Sequence, residues 1–351
     1  MITGIYYNNP YLSYFELAPM TQKITTLSIK STHYLFVGKL WLYLLFALSF
    51  FIIILPIIAS NPLTQVIEYV LYLSPRWIFL LAFIPIIFFW KKLNKYRRLI
   101  VLFCVIVLLQ FQDFQLNLPA KTVNDPALKL ISLNMGGKTS KKYLKNLIKR
   151  EQPDIFLFQE TLIEKLNGVF DKPWQLQCDA GLCIASQYPY KKIGEQSRRI
   201  FKGWGNFAVY YEVDIEGKTL PLMNVHLETP RSILSDLLGL AFDWQEVKRF
   251  RENKSLETAL ISTWASSQPY FVMAGDFNMT IDESLYNDYF SSFQNAIDTA
   301  GFGINFTKYT SWHGVRIDHV LASNHITFSK AKVLSSLGGD HRAILTEIVL
   351  P

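Results

Sequence analysis

The sequence predicts an α+β domain with helices outside two β-sheets, preceded by helices that cross a membrane. The 351 residues are 50% hydrophobic, and most of the excess lies in roughly the first third of the chain. The remainder has ordinary globular patterning, and its strand-like runs outnumber its helical runs. Many of these strands follow one another as adjacent pairs, which is typical of sandwich and α+β architectures. The chain therefore divides into a membrane part and a globular part.

Three apolar runs in the membrane part are long enough to cross a hydrocarbon core of about 30 Å. The first, residues 40–60, contains no charged residue. The second, residues 70–90, is most apolar over WIFLLAFIPIIFFW and has Arg76 near one end. The third, residues 99–118, is apolar as far as Phe111 and then weakens, so a buried core helix is its alternative.

These runs predict a membrane region over residues 1–118 with about three transmembrane helices, a linker over 119–127 and a globular domain over 128–351. The loop between the second and third spans reads KKLNKYRR, and short loops rich in Lys and Arg stay on the cytoplasmic side. Lysines in the N-terminal tail place that tail on the same side. We therefore expect a multi-pass protein of the inner or plasma membrane whose globular domain is periplasmic or extracytoplasmic.

The net charge of +7 belongs mostly to the membrane part. Before residue 119, nine Lys and Arg residues against three Asp and Glu residues give +6. From residue 119 onward, 26 against 25 give +1. A nearly neutral globular part argues weakly against tight duplex binding, which depends on many phosphate contacts.

The cysteines give a partial test of the compartment. Cys104 lies inside the third span, and Cys178 and Cys183 lie in CDAGLC. That spacing allows a small disulfide loop, which an oxidising compartment would permit. Two unpaired thiols are the alternative, and the spacing alone does not decide between them.

The globular part begins with ALKLISLNMG, which alternates and stops at glycine as a strand does. KKYLKNLIKREQ has helical spacing, and PDIFLFQET and GLCIASQYP are short strands. A longer run, NFAVYYEVDIEGKTLPLMNVHLET, predicts a hairpin that turns at Glu216 and Gly217. Residues 245–266 are helical in period, and FVMAGDFN, RIDHVLAS and DHRAILTEIVL are further strands.

Polar side chains recur at the ends of these strands. They are carboxylates, carboxamides or imidazoles at Asn134, Glu160, Asn224, His226, Asp276, Asn278, Asp318, His319, Asp340 and His341. If the ends meet at one edge of two packed sheets, they form an oxygen-rich pocket that suits Mg²⁺ shared with a substrate phosphate. Zinc is the second choice of metal, because the histidines lack the tight spacing of a zinc site and no cysteine pair is placed for it.

In order along the chain, SLNMG, QET, NVHLET, GDFN, RIDHVL and GDHRA resemble the endonuclease/exonuclease/phosphatase (DNase I-like) superfamily. The resemblance covers roughly Leu128 to Pro351. The layout of the whole chain, with apolar spans before this domain, is similar to that of the membrane-anchored bacterial members. It implies a four-layered α/β sandwich of two mixed sheets flanked by helices. It also implies a metal-dependent hydrolase acting on phosphoester bonds.

The resemblance implies roles for the metal and for the attacking water. Glu160 would be the principal ligand of Mg²⁺, or of Mn²⁺, with Asn134 near the metal and Asp340 a further ligand. Asp276 would orient or deprotonate the water, and Asn278 would hold the phosphate.

It implies roles for the histidines as well. His341 would contact the scissile phosphate and would be held through its imidazole by Asp318. His226 would be the general acid for the leaving oxygen, with Asn224 beside it on the phosphate. The chain departs from the family at Gly339, where a serine is usual, and this removes a hydroxyl but no catalytic group.

Three hypotheses for the function remain open. The first is a membrane-anchored, Mg²⁺-dependent nuclease that binds nucleic acid. The second is the same chemistry on a phospholipid, as in a sphingomyelinase, or on another membrane-linked phosphate. The apolar stripe in RSILSDLLGLAFDW would support it by touching lipid, although a helix that docks on its own sheet is the favoured interpretation of that stripe. The third is a non-catalytic binding domain that retains the fold, and the intact set of carboxylates and histidines disfavours it. The sequence indicates no protein partner.

Overall fold

The computed structural model describes residues 18–59, 61–117, 128–136, 139–311 and 313–351, with side chains from residue 36 onward. The α-helices are α1 Ala18–Ile58, α2 Pro62–Tyr72, α3 Ile84–Phe89, α4 Lys95–Phe111, α5 Lys141–Glu151, α6 Ile163–Leu166, α7 Arg231–Leu238, α8 Trp244–Ser267, α9 Ser284–Phe290 and α10 Ala296–Ala300. Short 3₁₀-helices cover Arg76–Phe83, Trp90–Lys92 and Arg198–Phe201.

The strands are β1 Phe114–Leu116, β2 Leu128–Asn134, β3 Ile155–Gln159, β4 Gln175–Asp179, β5 Leu182–Ser186, β6 Tyr190–Ser197, β7 Asn206–Ile215, β8 Lys218–His226, β9 Val272–Asp276, β10 Gln294–Asn295, β11 Phe302–Ile304, β12 Lys308–Tyr309, β13 Gly314–Val315, β14 Asp318–Ala322, β15 Thr327–Val333 and β16 Ile344–Val349.

Two six-stranded sheets form the centre of the fold. Sheet I has the order β10-β14-β9-β8-β7-β6, and sheet II has the order β15-β16-β2-β3-β5-β4. Each is mixed, because β8 runs parallel to β9 in sheet I and β2 runs parallel to β3 in sheet II while the other pairs are antiparallel. The predicted α+β class with two mixed sheets flanked by helices is confirmed.

Alternation along the strands explains the four layers. In β3, Ile155 and Leu157 pack into the core between the sheets, whereas Phe156 and Phe158 point to the outer face of sheet II. There they meet α5, whose Leu144 and Leu147 share the same cluster. The outer face of sheet I is covered in the same way by α8. The order of layers is therefore helix, sheet, sheet, helix.

One helix among the described residues is long and apolar enough to cross a membrane by itself, over Phe36–Ile58 of α1. The second predicted span is broken, because Pro62–Tyr72 and Arg76–Lys92 meet at a bend of 75° and pass the same test only as a pair. The third is represented by α4, which has 17 residues. The number of spans and their orientation remain predictions.

The third predicted span is shorter than the sequence suggested, because α4 ends at Phe111 rather than at residue 118. Asp113 turns the chain with a φ of 58°, and β1 then pairs with β11. The carboxylate of Asp113 lies 2.6 and 2.7 Å from the guanidinium of Arg316, and both side chains are buried. A buried carboxylate remains charged only with such a partner, so the globular fold holds this end of the segment.

The chain clusters into two compact units, and the predicted domain boundaries stay predictions. One contains residues 18–50 and 80–106, and the other contains 51–79 together with everything described from 107 onward. Helix α2 belongs to the second unit because it packs on α7 and α8.

Apolar and polar contacts both hold α2 in place. Its buried Val66 and Tyr69 share an apolar cluster with side chains of α7 and α8. Its Glu68 accepts hydrogen bonds from the backbone N–H and the hydroxyl of Ser284, at 2.8 and 2.9 Å.

Cys178 and Cys183 form a disulfide across the β4–β5 hairpin, where they are directly opposite each other. Of the two alternatives left open by the sequence, the structure therefore contains the bonded one. Cys104 is a buried free thiol in α4.

Candidate active site

Sheet I places three of the predicted residues in one row. The parallel register of β8 and β9 sets His226 opposite Asp276, and the antiparallel register of β9 and β14 sets Asp276 opposite Asp318. The row therefore runs imidazole, carboxylate, carboxylate across the end of the sheet.

Sheet II supplies a second row that faces the first. The parallel register of β2 and β3 pairs Asn134 with Gln159, so Glu160 follows at the same edge. His341 lies just before β16, the antiparallel neighbour of β2. The two rows come close enough for Nδ2 of Asn134 to donate to Oδ2 of Asp276, at 2.9 Å.

Glycine at position 275 allows this arrangement. Its φ is 154°, and a Cβ built there would lie 1.8 Å from the carbonyl oxygen of Val225. No side chain fits at that distance, so the glycine of GDFN lets β9 approach β8 and keeps Asp276 beside His226.

Asp276 lies at the centre of the site and is 1% exposed. Its Oδ1 accepts a hydrogen bond from the backbone N–H of Asn278 at 2.8 Å. Its Oδ2 lies 4.0 Å from Nε2 of His226 and 3.7 Å from Nε2 of His341. Burial, and then the nearby carboxylate of Asp318, raise the pKa of Asp276.

Glu160 is the accessible carboxylate of the site, with 39% of its side chain exposed. Its Oε1 accepts a hydrogen bond from Asn134 at 2.9 Å and lies 3.5 Å from Nε2 of His226. The interaction with His226 lowers the pKa of Glu160 to about 2, so the group is an anion at neutral pH. Its backbone has a φ of 51°, an uncommon conformation that is often found at functional sites.

His341 is buried and is held by Asp318, whose two oxygens lie 2.9 and 3.2 Å from its Nδ1. Burial alone would lower the pKa of His341, but the carboxylates of Asp318 and Asp276 outweigh it and raise that pKa to about 9. The backbone N–H of Asp318 in turn donates to the hydroxyl of Thr307 at 3.0 Å. His341 is therefore a fixed imidazolium at neutral pH.

A buried lysine that the sequence analysis missed holds the backbone of Asn278. Nδ2 of Asn278 donates to the carbonyl of Leu227 at 2.9 Å, and the carbonyl oxygen of Asn278 accepts a hydrogen bond from Lys254. Lys254 is fully buried, and burial lowers its pKa although nearby carboxylates oppose the change. It lies four residues after the buried Phe250 of α8, and a lysine within that apolar stripe was the available signal.

Arg198 and Glu257 form a second support that the sequence analysis missed. Arg198 lies in the basic run RRIFKGW, and its Nε is 2.9 Å from the buried carboxylate of Glu257. The same guanidinium donates to the carbonyl oxygen of His226. Oε2 of Glu257 accepts from the backbone N–H of Glu228 at 2.7 Å. This ion pair therefore fixes the main chain on both sides of Leu227, at the end of β8.

The contacts of Asn224 do not fit the predicted role in phosphate binding. Its Oδ1 accepts from Gln159 at 2.7 Å, and its Nδ2 donates to the carbonyls of Phe158 and Cys183 at 3.0 Å each. The side chain is fully buried with both amide hydrogens used. In this structure Asn224 joins sheet I to sheet II.

Asp340 lies outside the cluster at the centre of the site. Its Oδ2 pairs with Nζ of Lys308 at 2.5 Å. Burial would raise the pKa of Asp340, but Lys308 outweighs it and the pKa is lowered. The predicted further metal ligand is therefore engaged with a lysine.

Two groups of side chains could hold a metal ion among the described residues. Glu160, His226 and Asp276 form one, and Asp276, Asp318 and His341 form the other, each with ligand atoms within 4.8 Å of one another. In the second group, Asp318 and His341 are buried and already bound to each other. The first offers an accessible carboxylate anion beside a second carboxylate, which fits a hard divalent cation.

Comparisons with known proteins show the family and the fold of the chain. The family model described as "Endonuclease/Exonuclease/phosphatase family" matches residues 131–341. A comparison with curated proteins finds no significant match.

Solved structures are similar in fold. An endonuclease/exonuclease/phosphatase from Beutenbergia cavernae superposes with a TM-score of 0.50 at 14% identity, over 64% of this chain and 72% of that chain. An endonuclease/exonuclease/phosphatase family protein from Bacteroides thetaiotaomicron has a TM-score of 0.49 at 13% identity, over 64% and 98%. The TDP2 of D. rerio, solved with a single-strand DNA product, has a TM-score of 0.49 at 14% identity, over 64% and 100%.

The fold and the family model define an enzyme of the class that hydrolyses phosphoester bonds. The chain belongs to the endonuclease/exonuclease/phosphatase family, whose model covers well over half of its length. The resemblance stated from the sequence motifs is confirmed. Members of this family generally use a divalent metal ion.

Proposed function

We propose that this protein is a membrane-anchored, Mg²⁺-dependent phosphodiesterase. The observation that carries the proposal is the meeting of an accessible anionic carboxylate, a buried carboxylate and two histidines at one edge of both sheets. Such a set provides both a cation site and proton transfer within a single pocket.

Glu160 would be the principal ligand of Mg²⁺, with Asn134 beside it; Mn²⁺ is the alternative ion. When bound, the cation would neutralise charge that develops on the substrate phosphate. Asn134 already bridges Glu160 and Asp276, so it keeps the two carboxylates apart and oriented. For Asp340 to act as a further metal ligand, its ion pair with Lys308 would first have to break.

Asp276 would take the proton of the attacking water. Its raised pKa makes it a better base than an ordinary aspartate, and the N–H of Asn278 fixes its orientation. The imidazolium of His341 would donate from Nε2 to a phosphoryl oxygen, since Nδ1 is bound to Asp318. The remaining amide hydrogen of Asn278 would bind another phosphate oxygen.

His226 would protonate the leaving oxygen as the P–O bond breaks. Its Nε2 faces Glu160 and Asp276, and 19% of the side chain is exposed, so a substrate oxygen has access to it. Arg198 holds the carbonyl of the same residue and thereby limits movement of the ring.

Nucleic acid is the first substrate to test, because a nuclease-like activity is the first hypothesis for the function. A phospholipid or another membrane-linked phosphate is the second, because Leu238 at the end of α7 and Leu240 beyond it are exposed in the segment that follows β8. The charge distribution of the sequence favours an extracytoplasmic site.

The test uses the full chain, purified in detergent, on supercoiled plasmid and on a soluble aryl phosphodiester. We expect hydrolysis that requires Mg²⁺ and stops with EDTA. Glu160→Gln should abolish the Mg²⁺-dependent activity, and His341→Ala should lower the rate by about 10²- to 10⁴-fold. His325→Ala is the matched control, since that histidine is exposed and lies outside the site. Equal rates for His341→Ala and wild type would refute the assignment.

A further inference from the structure

The turn between α7 and α8 exposes a set of apolar side chains that the proposed chemistry does not use. We call residues 238–244, LGLAFDW, the lip. Leu238 is 86% exposed, Leu240 is 94% exposed and Trp244 is 51% exposed. Side chains of this kind are costly to leave in water as a contiguous group, and such patches often mark interaction surfaces.

Leu240 lies in the turn that ends α7. Its φ is 55°, in the left-handed region, at the position after the helix C-cap where that conformation is common. The backbone N–H of Ala241 donates to the carbonyl of Asp236 at 2.9 Å, and that of Leu240 donates to the carbonyl of Leu237 at 3.3 Å. This helix ending presents the side chain of Leu240 outward, away from the folded chain.

The surroundings of the lip indicate what it contacts. Helix α7 packs through Ile233 against Val66 and Tyr69 of α2. Helix α2 begins at Pro62, soon after the end of the helix that could cross a membrane. The last turns of that helix expose Ile53 and Ile57, at 45% and 79%, and belong to the same compact unit as the lip.

Charge near the lip argues for apolar insertion rather than for attraction to a polyanion. Residues 231–249, which contain the lip, carry three acidic and three basic residues that cancel: Asp236, Asp243, Glu246, Arg231, Lys248 and Arg249. A nucleic-acid surface would need an excess of positive charge. A tryptophan beside exposed leucines is typical of the boundary between lipid headgroups and acyl chains.

We propose that the lip inserts into the bilayer interface beside the end of α1. The partner is the lipid bilayer itself, and the contact is apolar. Because α7 follows β8, which ends at His226, insertion of the lip would hold the candidate active site at the membrane surface. The proposal concerns the surface only and does not depend on the proposed hydrolysis.

The experiment measures the depth of a spin label in the reconstituted full chain. Leu240→Cys is prepared in a Cys104→Ala background, since Cys104 is the free thiol of the described chain, and is labelled and placed in phosphatidylcholine nanodiscs. The control is Thr219→Cys, an exposed position at the end of β8 opposite to His226. We expect the label at 240 to collide at least several-fold more with dissolved oxygen than with a water-soluble nickel complex, and the label at 219 to show the reverse.

Equal nickel accessibility at the two positions would overturn the proposal. A label at 240 shielded from both oxygen and nickel would overturn it too, because it would indicate contact with a protein surface such as a second copy. The readout needs no turnover, so an inactive protein would refute the proposed function and leave this result intact.

Discussion

Asp276 contacts members of both rows of the site, and its burial near Asp318 makes its negative charge costly. The cost is useful only if the carboxylate takes part in the reaction. Sites of this kind commonly trade stability for activity.

We therefore predict a much larger effect of Asp276→Asn on activity than on stability. The amide can still accept from the N–H of Asn278, but it cannot take a proton, so activity should fall by about 10²- to 10⁴-fold. The melting temperature in EDTA should change little, because removal of a buried charge offsets the loss of the hydrogen bond from Asn134. Initial rates and thermal melts test this, and a large fall in the melting temperature would contradict it.

A separate prediction concerns Arg198 and Glu257. Arg198→Met leaves the carboxylate of Glu257 buried without its partner and should lower the free energy of unfolding by about 3 kcal/mol. The double variant Arg198→Met, Glu257→Gln should lose clearly less than the single variant. Chemical denaturation of both variants and of Glu257→Gln completes a double-mutant cycle. Additive losses would mean that the two side chains do not depend on each other.

The strand-end residues could be predicted because each is a local exception in an apolar run. The pattern of α8 indicates that Lys254 is buried, but the sequence does not show what Lys254 and Arg198 bind, since their partners are backbone carbonyls 24 and 28 positions away. Asn224 has the type and place of a site residue, but its amide hydrogens bind carbonyl oxygens of sheet II.

At the level of elements, the predicted hairpin turn at Glu216 and Gly217 is confirmed, since β7 ends at Ile215 and β8 begins at Lys218. Short-range turn chemistry sets such a feature. The end of α4 at Phe111 coincides with the point where the apolar run weakens. The ion pair that holds Asp113 could not be predicted, because its partner Arg316 is distant in the sequence.

The pairing of β8 and β9 leads to a prediction for Gly275→Ala. The new methyl group would overlap the carbonyl of Val225, and a backbone atom cannot move aside cheaply. We expect a loss of more than about 2 kcal/mol of stability together with loss of activity. Gly217→Ala is the control, since nothing lies within 4 Å of a Cβ there although its φ is also positive. Denaturation curves of the two variants separate the two effects, because Gly217→Ala introduces backbone strain alone and Gly275→Ala adds steric overlap. Similar losses of stability in both variants would exclude overlap as the cause.

At the level of the whole molecule, buried polar contacts link the segment around the apolar helices to the globular fold. Arg316 is held by Asp113 and also by Asp298, at 2.6 Å. Arg76 lies 2.7 Å from Asp282. These contacts, like the docking of α2, join parts of the chain that the sequence divided between a membrane region and a separate domain.

We predict that Asp113→Ala in the full chain lowers the free energy of unfolding by about 3 kcal/mol, because Arg316 loses one of its two carboxylates in a buried place. Asp288→Ala, at an exposed acid of α9, is the control and should change it by less than about 0.5 kcal/mol. Thermal or chemical unfolding of the detergent-solubilised protein measures both. Equal stability of the two variants would show that the ion pair contributes nothing.

The pairing of β1 with β11 changes what the stretch from 119 to 127 can do. Nine residues could reach about 30 Å if they connected an anchor to a free head. Because β1 before the stretch and β2 after it belong to the same compact unit, the fold itself fixes the distance between the two ends of the stretch. Inserting residues into it would therefore not extend the reach of the candidate active site.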